Sequence, residues 1–454
     1  MDYYTFNFVL QVKNFSFRFI FVPICASILV AMSELVQILS DVQKSAFDAI
    51  EHTNSNVLIL GQAGTGKSTF INYIKSATKK RVVCACPTAV AALNIGGQTI
   101  HSLFRILPRD FIFPEFLELY AKVRNILTAT DVLILDEVSM IAPDLMDAMD
   151  ILARRARKND APFGGIQVVA IGDLFQLPPV ITRDAAQYYE SEYGHKAAYF
   201  FDSNVYPRMH FLRFNFDLVY RQSDMALLEK LTALRTGATD AITFFNSCRI
   251  CDNDRYKNAV LITPFRAVAD QVNAKRLAQI ESPVVMYRGE LSGNFPERDV
   301  PAPMNLELKV GALVVFVKNG DRWHNGSMGI VQTLGAHEIV VRLLNNTNDI
   351  VIVKPEKWQK IEYSRDENDK LVENETGAYK QFPLSLGYAM TIHKSQGKTL
   401  DTVIIDMSRG AFEHGQTYVA LSRTRSAADM HVARPLSPHD VIFDPRVLEF
   451  VGND

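Results

Sequence analysis

Cysteine is scarce in the sequence, and the positive and negative charges almost cancel. Five cysteines among 454 residues are too few, and odd in number, for a disulfide framework, so we expect a reducing compartment. Cys248 and Cys251 have the spacing of a zinc or redox pair, but no second Cys or His pair stands near them, and we interpret them as ordinary cysteines. A formal net charge of −2 excludes nucleic-acid binding through a generally basic surface. Any contact with DNA or RNA must therefore come from a local groove.

A long unbroken apolar run is also missing. The most apolar stretch, residues 15–30, contains Arg18 and Pro23, whereas a bilayer span needs about 20 apolar residues. A membrane anchor, a signal-type segment and a transit-like leader stay open, and the interpretation that we favour is that translation begins at Met32. We therefore expect no membrane association, and we leave the apolar leader, residues 1–32, out of the fold prediction.

The length and composition fit a globular protein with more than one core. One domain usually takes about 100–200 residues, so a chain of 454 residues has room for at least two. Hydrophobic residues make up 48% and charged residues 22%, which is typical of a soluble globular protein and does not separate one function from another. The motifs must therefore indicate the function.

The most informative stretch is 61–69, which matches the phosphate-loop pattern G-x-x-x-x-G-K-[ST] in full. Residues 57–60 predict a buried strand before it, and residues 70–75 begin a helix after it. In such a loop, backbone N–H groups surround the phosphates, the lysine reaches the outer phosphates and is counted here as catalytic, and the serine can bind Mg²⁺. The predicted nucleotide contacts are Gly61, Gly64, Thr65, Gly66, Lys67, Ser68 and Thr69.

Gln43 has two interpretations that the sequence leaves open. Residues 40–43 have the pattern of a capping box at the start of a helix that runs through Ile50. A carboxamide can also donate and accept at once, which suits the edge of an adenine, and this helix leads directly to the phosphate loop. We therefore keep Gln43 as a predicted nucleotide contact beside its capping role.

Two acidic residues follow a second apolar strand. Residues 132–135 predict a buried parallel strand, and Asp136 and Glu137 come directly after it. Asp136 is placed to hold Mg²⁺ through water, and Glu137 to activate the attacking water. Gln176 lies in the loop after a third predicted strand, residues 166–171, and suits a sensor that touches both the γ-phosphate and the next domain. Together with the phosphate loop, these residues indicate hydrolysis of a nucleoside triphosphate.

Polar residues also follow the strand predicted at residues 82–86. Thr88, His101 and Ser102 come after its carboxyl end, the side of a parallel sheet where ligands bind. Hydroxyl and imidazole donors suit the phosphate backbone of a nucleic acid. For His101 the alternative to a DNA contact is a core histidine whose hydrogen bonds are satisfied within the protein. On these residues alone, the core histidine is favoured.

Four motifs, in this order, give the sequence a family resemblance. They are GQAGTGKS at 61–68, LDEVSM at 135–140, PFGGIQ at 162–167 and GDLFQLPPV at 172–180. With them the chain resembles the Pif (petite integration frequency) family of superfamily 1 DNA helicases, with RecD-like enzymes as more distant relatives. The resemblance runs from about residue 43 to about residue 426.

The resemblance implies an α/β fold with two RecA-like P-loop motor domains of mostly parallel sheet. It places the first motor domain at residues 33–205 and the second at 206–288 and 383–454. Between the two parts of the second domain it implies a linker and a small SH3-like β-barrel insert, residues 289–382, of which 289–305 is rich in Gly, Pro and Asn and predicts the linker.

The resemblance also assigns roles in the second motor domain. Arg221, in YRQ, and Arg423, in YVALSRTR, match arginines that reach ATP across the domain interface. Gln396 and Gly397, in TIHKSQGKTL, lie toward the nucleotide in the family. The implied DNA contacts are Phe265, Asn273, Thr391, His393 and Ser395. Phe265 departs from the family, where a Thr-Asn pair often follows the preceding proline.

The implied function is that of an ATP-dependent 5′→3′ DNA helicase with Mg²⁺, stimulated by DNA and acting in genome maintenance. The expected partners are single-stranded DNA and forked or tailed duplex. We expect a monomer with no obligate protein partner, in the cytoplasm of a bacterial or viral system, or in the nucleus or mitochondrion of a eukaryote. The alternatives are an ATP-gated DNA-binding or remodelling protein that unwinds little, which strand displacement would distinguish, and a nucleotide-binding regulator or kinase, which the motifs of the second domain disfavour.

Overall fold

Two parallel sheets and a set of antiparallel strands make up the fold. The computed structural model describes residues 39–107, 111–195, 199–220, 224–344, 349–366, 370–407 and 410–452. The apolar leader and Arg221 therefore lie outside the described residues. Across these ranges, no helix combines the length and the apolar character that crossing a membrane would require.

The first sheet carries the phosphate loop. Its strands are β1 Val57–Gly61, β2 Val82–Cys86, β3 Gln98–Thr99, β4 Val132–Leu135, β5 Gln167–Gly172 and β6 Leu212–Phe216. They are arranged in the order β3-β2-β4-β5-β1-β6, and each neighbouring pair is parallel. Strands β1, β4 and β5 are buried along their whole length, as expected for a parallel sheet covered by helices on both faces.

Helices pack on this sheet, and their ends follow from local sequence. They are α1 Asp41–His52, α2 Lys67–Ala77, α3 Ala89–Asn94, α4 Ile100–Phe104, α5 Ala121–Ala129, α6 Pro143–Arg157, α7 Arg183–Tyr193 and α8 Tyr206–Met209. At the start of α1, the Ser40 hydroxyl accepts from the Gln43 amide at 3.3 Å and the Gln43 side chain accepts from the Ser40 amide at 3.0 Å. The capping box predicted from sequence is confirmed.

The boundary expected at residue 205 needs a correction. Strand β6 pairs with β1, from Val57 opposite Leu212 to Gly61 opposite Phe216, and so belongs to the first sheet. The first motor domain therefore continues to at least Phe216. Strand β1, the partner of β6, lies about 155 residues earlier in the chain. The sequence motifs near β6 therefore do not indicate this pairing.

The second sheet is smaller and also parallel. Its strands are β7 Val260–Thr263, β18 Ala389–Thr391, β19 Val403–Ile405 and β20 Met430–Val432, in the order β18-β7-β19-β20. The helices of this half are α9 Met225–Arg235, α10 Ala241–Ser247, α11 Asn253–Lys257, α12 Arg266–Ala278, α13 Ile392–Ser395, α14 Gln416–Leu421 and α15 Pro445–Gly452. The second motor domain predicted by the resemblance is thus formed by two stretches of chain that meet in one sheet.

The insert between β7 and β18 consists of antiparallel strands. They are β8 Val285–Arg288, β9 Glu290–Gly293, β10 Asn305–Leu308, β11 Leu313–Phe316, β12 Met328–Leu334, β13 Ile339–Leu343, β14 Ile350–Val353, β15 Glu356–Arg365, β16 Leu371–Gln381 and β17 Leu384–Leu386. Five of them form the sheet β14-β13-β12-β11-β17. The insert begins before residue 289 and ends after residue 382, because β8 and β17 belong to it. Its classification as an SH3-like barrel stays a prediction.

The linker predicted at residues 289–305 is wrong. Strand β9 pairs with β16, and Phe295 is buried against Trp358 and Tyr379. Gly289 and Gly293 lie so close to this pairing that an added Cβ would come within 2.5 Å of Tyr379 and 2.3 Å of the Thr376 carbonyl oxygen. The glycines here permit two strands to approach closely, whereas the sequence pattern had suggested a linker.

Two segments of the second half pack on the first motor domain. In the hairpin β15–β16, the buried Tyr363 hydroxyl accepts from the Cys84 amide of β2 at 3.2 Å. Helix α15 carries Phe450, whose ring stacks on Phe201 at 4.2 Å and lies 4.5 Å from the Arg213 guanidinium. Helix α15 was expected in the second motor domain, and its contacts place it on the first.

Candidate functional site

The phosphate loop has the backbone that anion binding requires. Gly64 and Gly66 have φ of 86° and 82°, a region that glycine adopts without strain. Helix α2 begins directly after Gly66 with no side-chain cap, so its first N–H groups are available to phosphate. The Lys67 ammonium donates to the carbonyl oxygens of Gly61 at 2.6 Å and Gln62 at 2.9 Å, which places a cation over the loop.

Around this loop lie the remaining predicted nucleotide contacts. Thr65 is buried and donates to the Gln62 carbonyl at 3.0 Å, whereas Ser68 and Thr69 are exposed in the first turn of α2. Besides its part in the capping box of α1, the Gln43 side chain donates to the Thr65 carbonyl at 3.4 Å. This bond connects α1 to the phosphate loop. The adenine contact of Gln43 stays a prediction.

Tyr220 is a site residue that the sequence reasoning missed. Its amide donates to the Gly64 carbonyl at 2.8 Å, and its ring lies 3.6 Å from the position that a Cβ on Gly66 would take. The residue is 51% exposed, so the ring is partly accessible beside the loop. An accessible aromatic ring is a suitable stacking surface for a base. The signal in the sequence was an aromatic residue immediately before Arg221.

The two acids stand at the end of β4, next to the loop. The backbone of Glu137 has φ of 52°, in the left-handed region that costs a non-glycine residue of order 1–3 kcal/mol and is found at functional sites. Burial, together with the neighbouring Asp136 carboxylate, raises the pKa of Glu137 to about 7. Burial also raises the pKa of Asp136, while the Glu137 amide and Lys67 oppose that rise. A carboxylate with a pKa near neutrality suits a general base.

A carboxamide of the second motor domain reaches these acids. Gln396 donates to Glu137 Oε2 at 3.2 Å and to Gln176 Oε1 at 3.3 Å. The structure thus brings together three predicted residues from distant parts of the chain. Gly397, beside them, is exposed with φ of 75°.

Arg423 is buried in the second motor domain, with only 1% of its surface exposed. Its guanidinium donates to the carbonyl oxygens of Val419 at 2.6 Å, Ser395 at 3.1 Å and Lys398 at 3.3 Å. These contacts hold the arginine in one orientation. Its positive charge also acts to lower the pKa of Glu137, after the larger effects of burial and of Asp136. Contact of Arg423 with ATP across the domain interface stays a prediction.

His101 and Ser102 line a cavity of about 280 Å³ between the first motor domain and the insert. Arg105, Arg298 and Lys360 also line it, together with one acidic residue, Asp299, so basic side chains outnumber acidic ones in this local groove. Burial lowers the pKa of His101. Thr88, on the same side of the sheet, accepts from the Ala91 amide at 3.3 Å as the cap of α3.

Two predicted DNA contacts have structural roles. Both ends of the Asn273 carboxamide are bonded to the Ala389 backbone, at 2.8 and 3.0 Å, so this side chain anchors β18. The Ser395 side chain is fully buried and donates to the Ile392 carbonyl at 2.7 Å, because the short helix α13 turns it inward. Direct contact of these two residues with DNA stays a prediction.

The other three predicted DNA contacts of this domain are differently placed. Thr391 accepts from the Lys394 amide at 3.2 Å as the cap of α13 and has 9% of its surface exposed. His393 is half-buried, its pKa is lowered by burial, and it lies 3.7 Å from Glu413. The Phe265 ring lies 5.7 Å from the exposed ring of Phe412. Their contact with DNA stays a prediction.

Comparison with known proteins agrees with this geometry. A family model described as PIF1-like helicase matches residues 38–223. The ATP-dependent DNA helicase Pif1 of Bdellovibrio bacteriovorus is 31% identical over 430 residues, which cover 91% of each chain. By contrast, the chain spans only 62% and 63% of the PIF1 helicases of Emericella nidulans and Danio rerio.

Solved structures give the same family. Unliganded Pif1 from Bacteroides sp is 32% identical and superposes with a TM-score of 0.83, over 91% of this chain and 96% of that one. Bacteroides Pif1 bound to ssDNA, also 32% identical, superposes with a TM-score of 0.65 over 92% and 97%. The motifs, the two parallel sheets and these matches lead to one conclusion: the chain belongs to the PIF1-like helicase family.

Proposed function

We propose that this ATP-dependent DNA helicase moves along single-stranded DNA in the 5′→3′ direction and separates the duplex ahead of it. ATP and Mg²⁺ would bind between the two motor domains. Membership of the family establishes the helicase activity. The 5′→3′ direction and the use of Mg²⁺ are proposed in addition.

The observation that carries the proposal is the bond from Gln396 to Glu137. The base that activates water belongs to the first motor domain, and the donor that holds it belongs to the second. Hydrolysis is therefore efficient only when the two domains are close enough to form this hydrogen bond. Loss of the γ-phosphate then weakens the interaction that holds the domains together. A motor needs such a difference between nucleotide states, because equal affinity in both states shifts nothing.

The residues present fit Mg²⁺. The Ser68 hydroxyl and the Asp136 carboxylate offer hard oxygen ligands beside the phosphate loop, the donor type that Mg²⁺ prefers. The ion, when bound, would neutralise charge that develops on the phosphate oxygens. Lys67 shares that task, and Glu137 takes the proton of the attacking water.

The DNA-facing surfaces lie on both domains. His101 and Ser102 of the first line the cavity that this domain forms with the insert, and His393 and Phe265 lie at strand ends of the second. A strand held at both places would be advanced when the domains close and open. The Bacteroides relative has been crystallised with ssDNA, which supports this choice of substrate.

Unwinding assays on matched duplexes test the proposal. With ATP and Mg²⁺, a duplex with a 5′ single-stranded tail should be separated, whereas blunt and 3′-tailed duplexes should stay paired. Lys67→Ala is the matched control and should abolish both ATP hydrolysis and unwinding. Unwinding of the 3′-tailed duplex alone would overturn the direction, and DNA-stimulated hydrolysis without any strand separation would favour the remodelling alternative.

A further inference from the structure

A buried carboxylate, Asp173, lies at the junction of the two motor domains. Its exposure is 0%, and four groups donate to it. The Phe175 amide at 3.3 Å and the Gln176 side chain at 3.1 Å come from its own loop. The Arg235 guanidinium at 3.2 Å and the Tyr418 hydroxyl at 3.1 Å come from the second motor domain. A buried charge is tolerated only when it is paired in this way.

The second-domain donors are themselves held in place. The Arg235 guanidinium lies 4.3 Å from the centre of the Phe175 ring, a stacking distance for a cation on an aromatic face. Tyr418 is 4% exposed on helix α14. Burial acts to raise the pKa of Asp173, but Arg235, Lys67 and the hydrogen bonds outweigh it, and the pKa is lowered. Asp173 is therefore ionised and can only accept hydrogen bonds.

The ionised carboxylate decides which way the Gln176 carboxamide points. Because Asp173 cannot donate, Gln176 must turn its NH₂ group toward it, and its Oε1 then faces Gln396. Gln396 must in turn present its NH₂ group, which donates to Glu137 Oε2 as well. The orientation of three side chains thus follows from one buried charge.

We propose that Arg235 and Tyr418 are positioning residues for ATP hydrolysis, acting through Asp173, Gln176 and Gln396 on the general base Glu137. The inference rests on the proposed function and adds to it the route by which the second motor domain controls the base. When the domains separate, Asp173 loses two of its four hydrogen-bond donors. The Gln176 and Gln396 carboxamides are then no longer held in one orientation.

Two conservative variants test the inference in the 454-residue chain. Tyr418→Phe removes one hydroxyl and keeps the ring, and Arg235→Lys keeps the charge but loses the planar contact with Phe175. For each we expect kcat of DNA-stimulated ATP hydrolysis to fall about tenfold, the rate equivalent of one hydrogen bond. The KM for ATP should stay within about twofold of wild type in Arg235→Lys; it is not used for Tyr418→Phe, because the Tyr418 hydroxyl also accepts from the Ala63 amide of the phosphate loop. Tyr189→Phe is the matched control, since Tyr189 is also buried and donates to a buried carboxylate, Asp144 at 2.9 Å, outside this network.

A split between kcat and KM separates positioning from a merely structural role. If Arg235 acts through the carboxamides on the base, Arg235→Lys should lower kcat and leave the KM for ATP near that of wild type, whereas Tyr189→Phe should leave both unchanged. Rates within twofold of wild type, a fall in kcat matched by a rise in KM, or an equal fall in Tyr189→Phe would overturn the inference. A wild-type protein without DNA-stimulated hydrolysis would overturn the proposed function and this inference together, whereas an active wild type with unaffected variants would overturn only the inference.

Discussion

Replacing Gly415 with alanine tests whether the observed contact between the motor domains belongs to the hydrolysing state. Gly415 precedes helix α14 with φ of 74°, and a Cβ there would lie 2.5 Å from the carbonyl oxygens of both Phe175 and Gln176. Carbon–oxygen contacts are comfortable at about 3.3 Å and beyond, so the two backbones must separate by about 0.8 Å. The bond from Tyr418 to Asp173, 3.1 Å in the structure, and that from Gln396 to Gln176, 3.3 Å, would then stretch to about 4 Å and be lost.

The expected result is a large loss of rate. A misplacement of about 1 Å at a catalytic group can cost about 100-fold, so kcat for DNA-stimulated ATP hydrolysis should fall by about that factor in Gly415→Ala. Steady-state hydrolysis with saturating single-stranded DNA measures it.

Gly194→Ala is the matched control. Gly194 caps helix α7 with φ of 79°, and a Cβ there would meet no atom within 4 Å. Both variants carry the left-handed strain of about 1–2 kcal/mol, but only Gly415→Ala adds the clash. If both variants hydrolyse ATP at the wild-type rate, the reasoning fails, because the domain contact would then be irrelevant to hydrolysis.

Three further predictions follow from the site and its supports. Because Glu137 has a pKa of about 7 and acts when ionised, kcat for ATP hydrolysis should fall about tenfold from pH 8 to pH 6, and a flat profile would contradict this assignment. Gln43→Glu keeps the capping box but loses the NH₂ group, so the melting temperature should stay and KM for ATP should rise; an unchanged KM would leave Gln43 with the capping role alone. Tyr363→Phe leaves the buried Cys84 amide without its partner, at a cost of about 1–3 kcal/mol, so amide exchange at Cys84 should accelerate; unchanged exchange would mean that the hairpin β15–β16 does not stay on the first motor domain in solution.

The features that the structure places where the sequence predicted them are those that depend on neighbouring residues. The capping box of α1, the phosphate loop between β1 and α2, and the acids after β4 each need only a few consecutive residues. Such patterns act through the local backbone, and so they can be recognised without knowing the fold.

The wrong predictions concern contacts between distant residues. The linker predicted at 289–305 contains strand β9, because β9 pairs with β16, more than 80 residues further on. The boundary predicted at 205 missed strand β6, because β6 pairs with β1, about 155 residues earlier. No local sequence pattern indicates which distant residue or strand will be the partner.

The amino-acid sequence by itself determined that this protein binds a nucleoside triphosphate, cleaves it with water and resembles one helicase family. Only the tertiary structure decided how the two motor domains share that reaction. Gln396 and Glu137 are 259 residues apart, and Tyr418 and Asp173 are 245 apart, yet each pair forms a hydrogen bond. The physical reason is that a buried carboxylate accepts whichever donors the packing of the two sheets places around it, and that packing is a property of the whole chain.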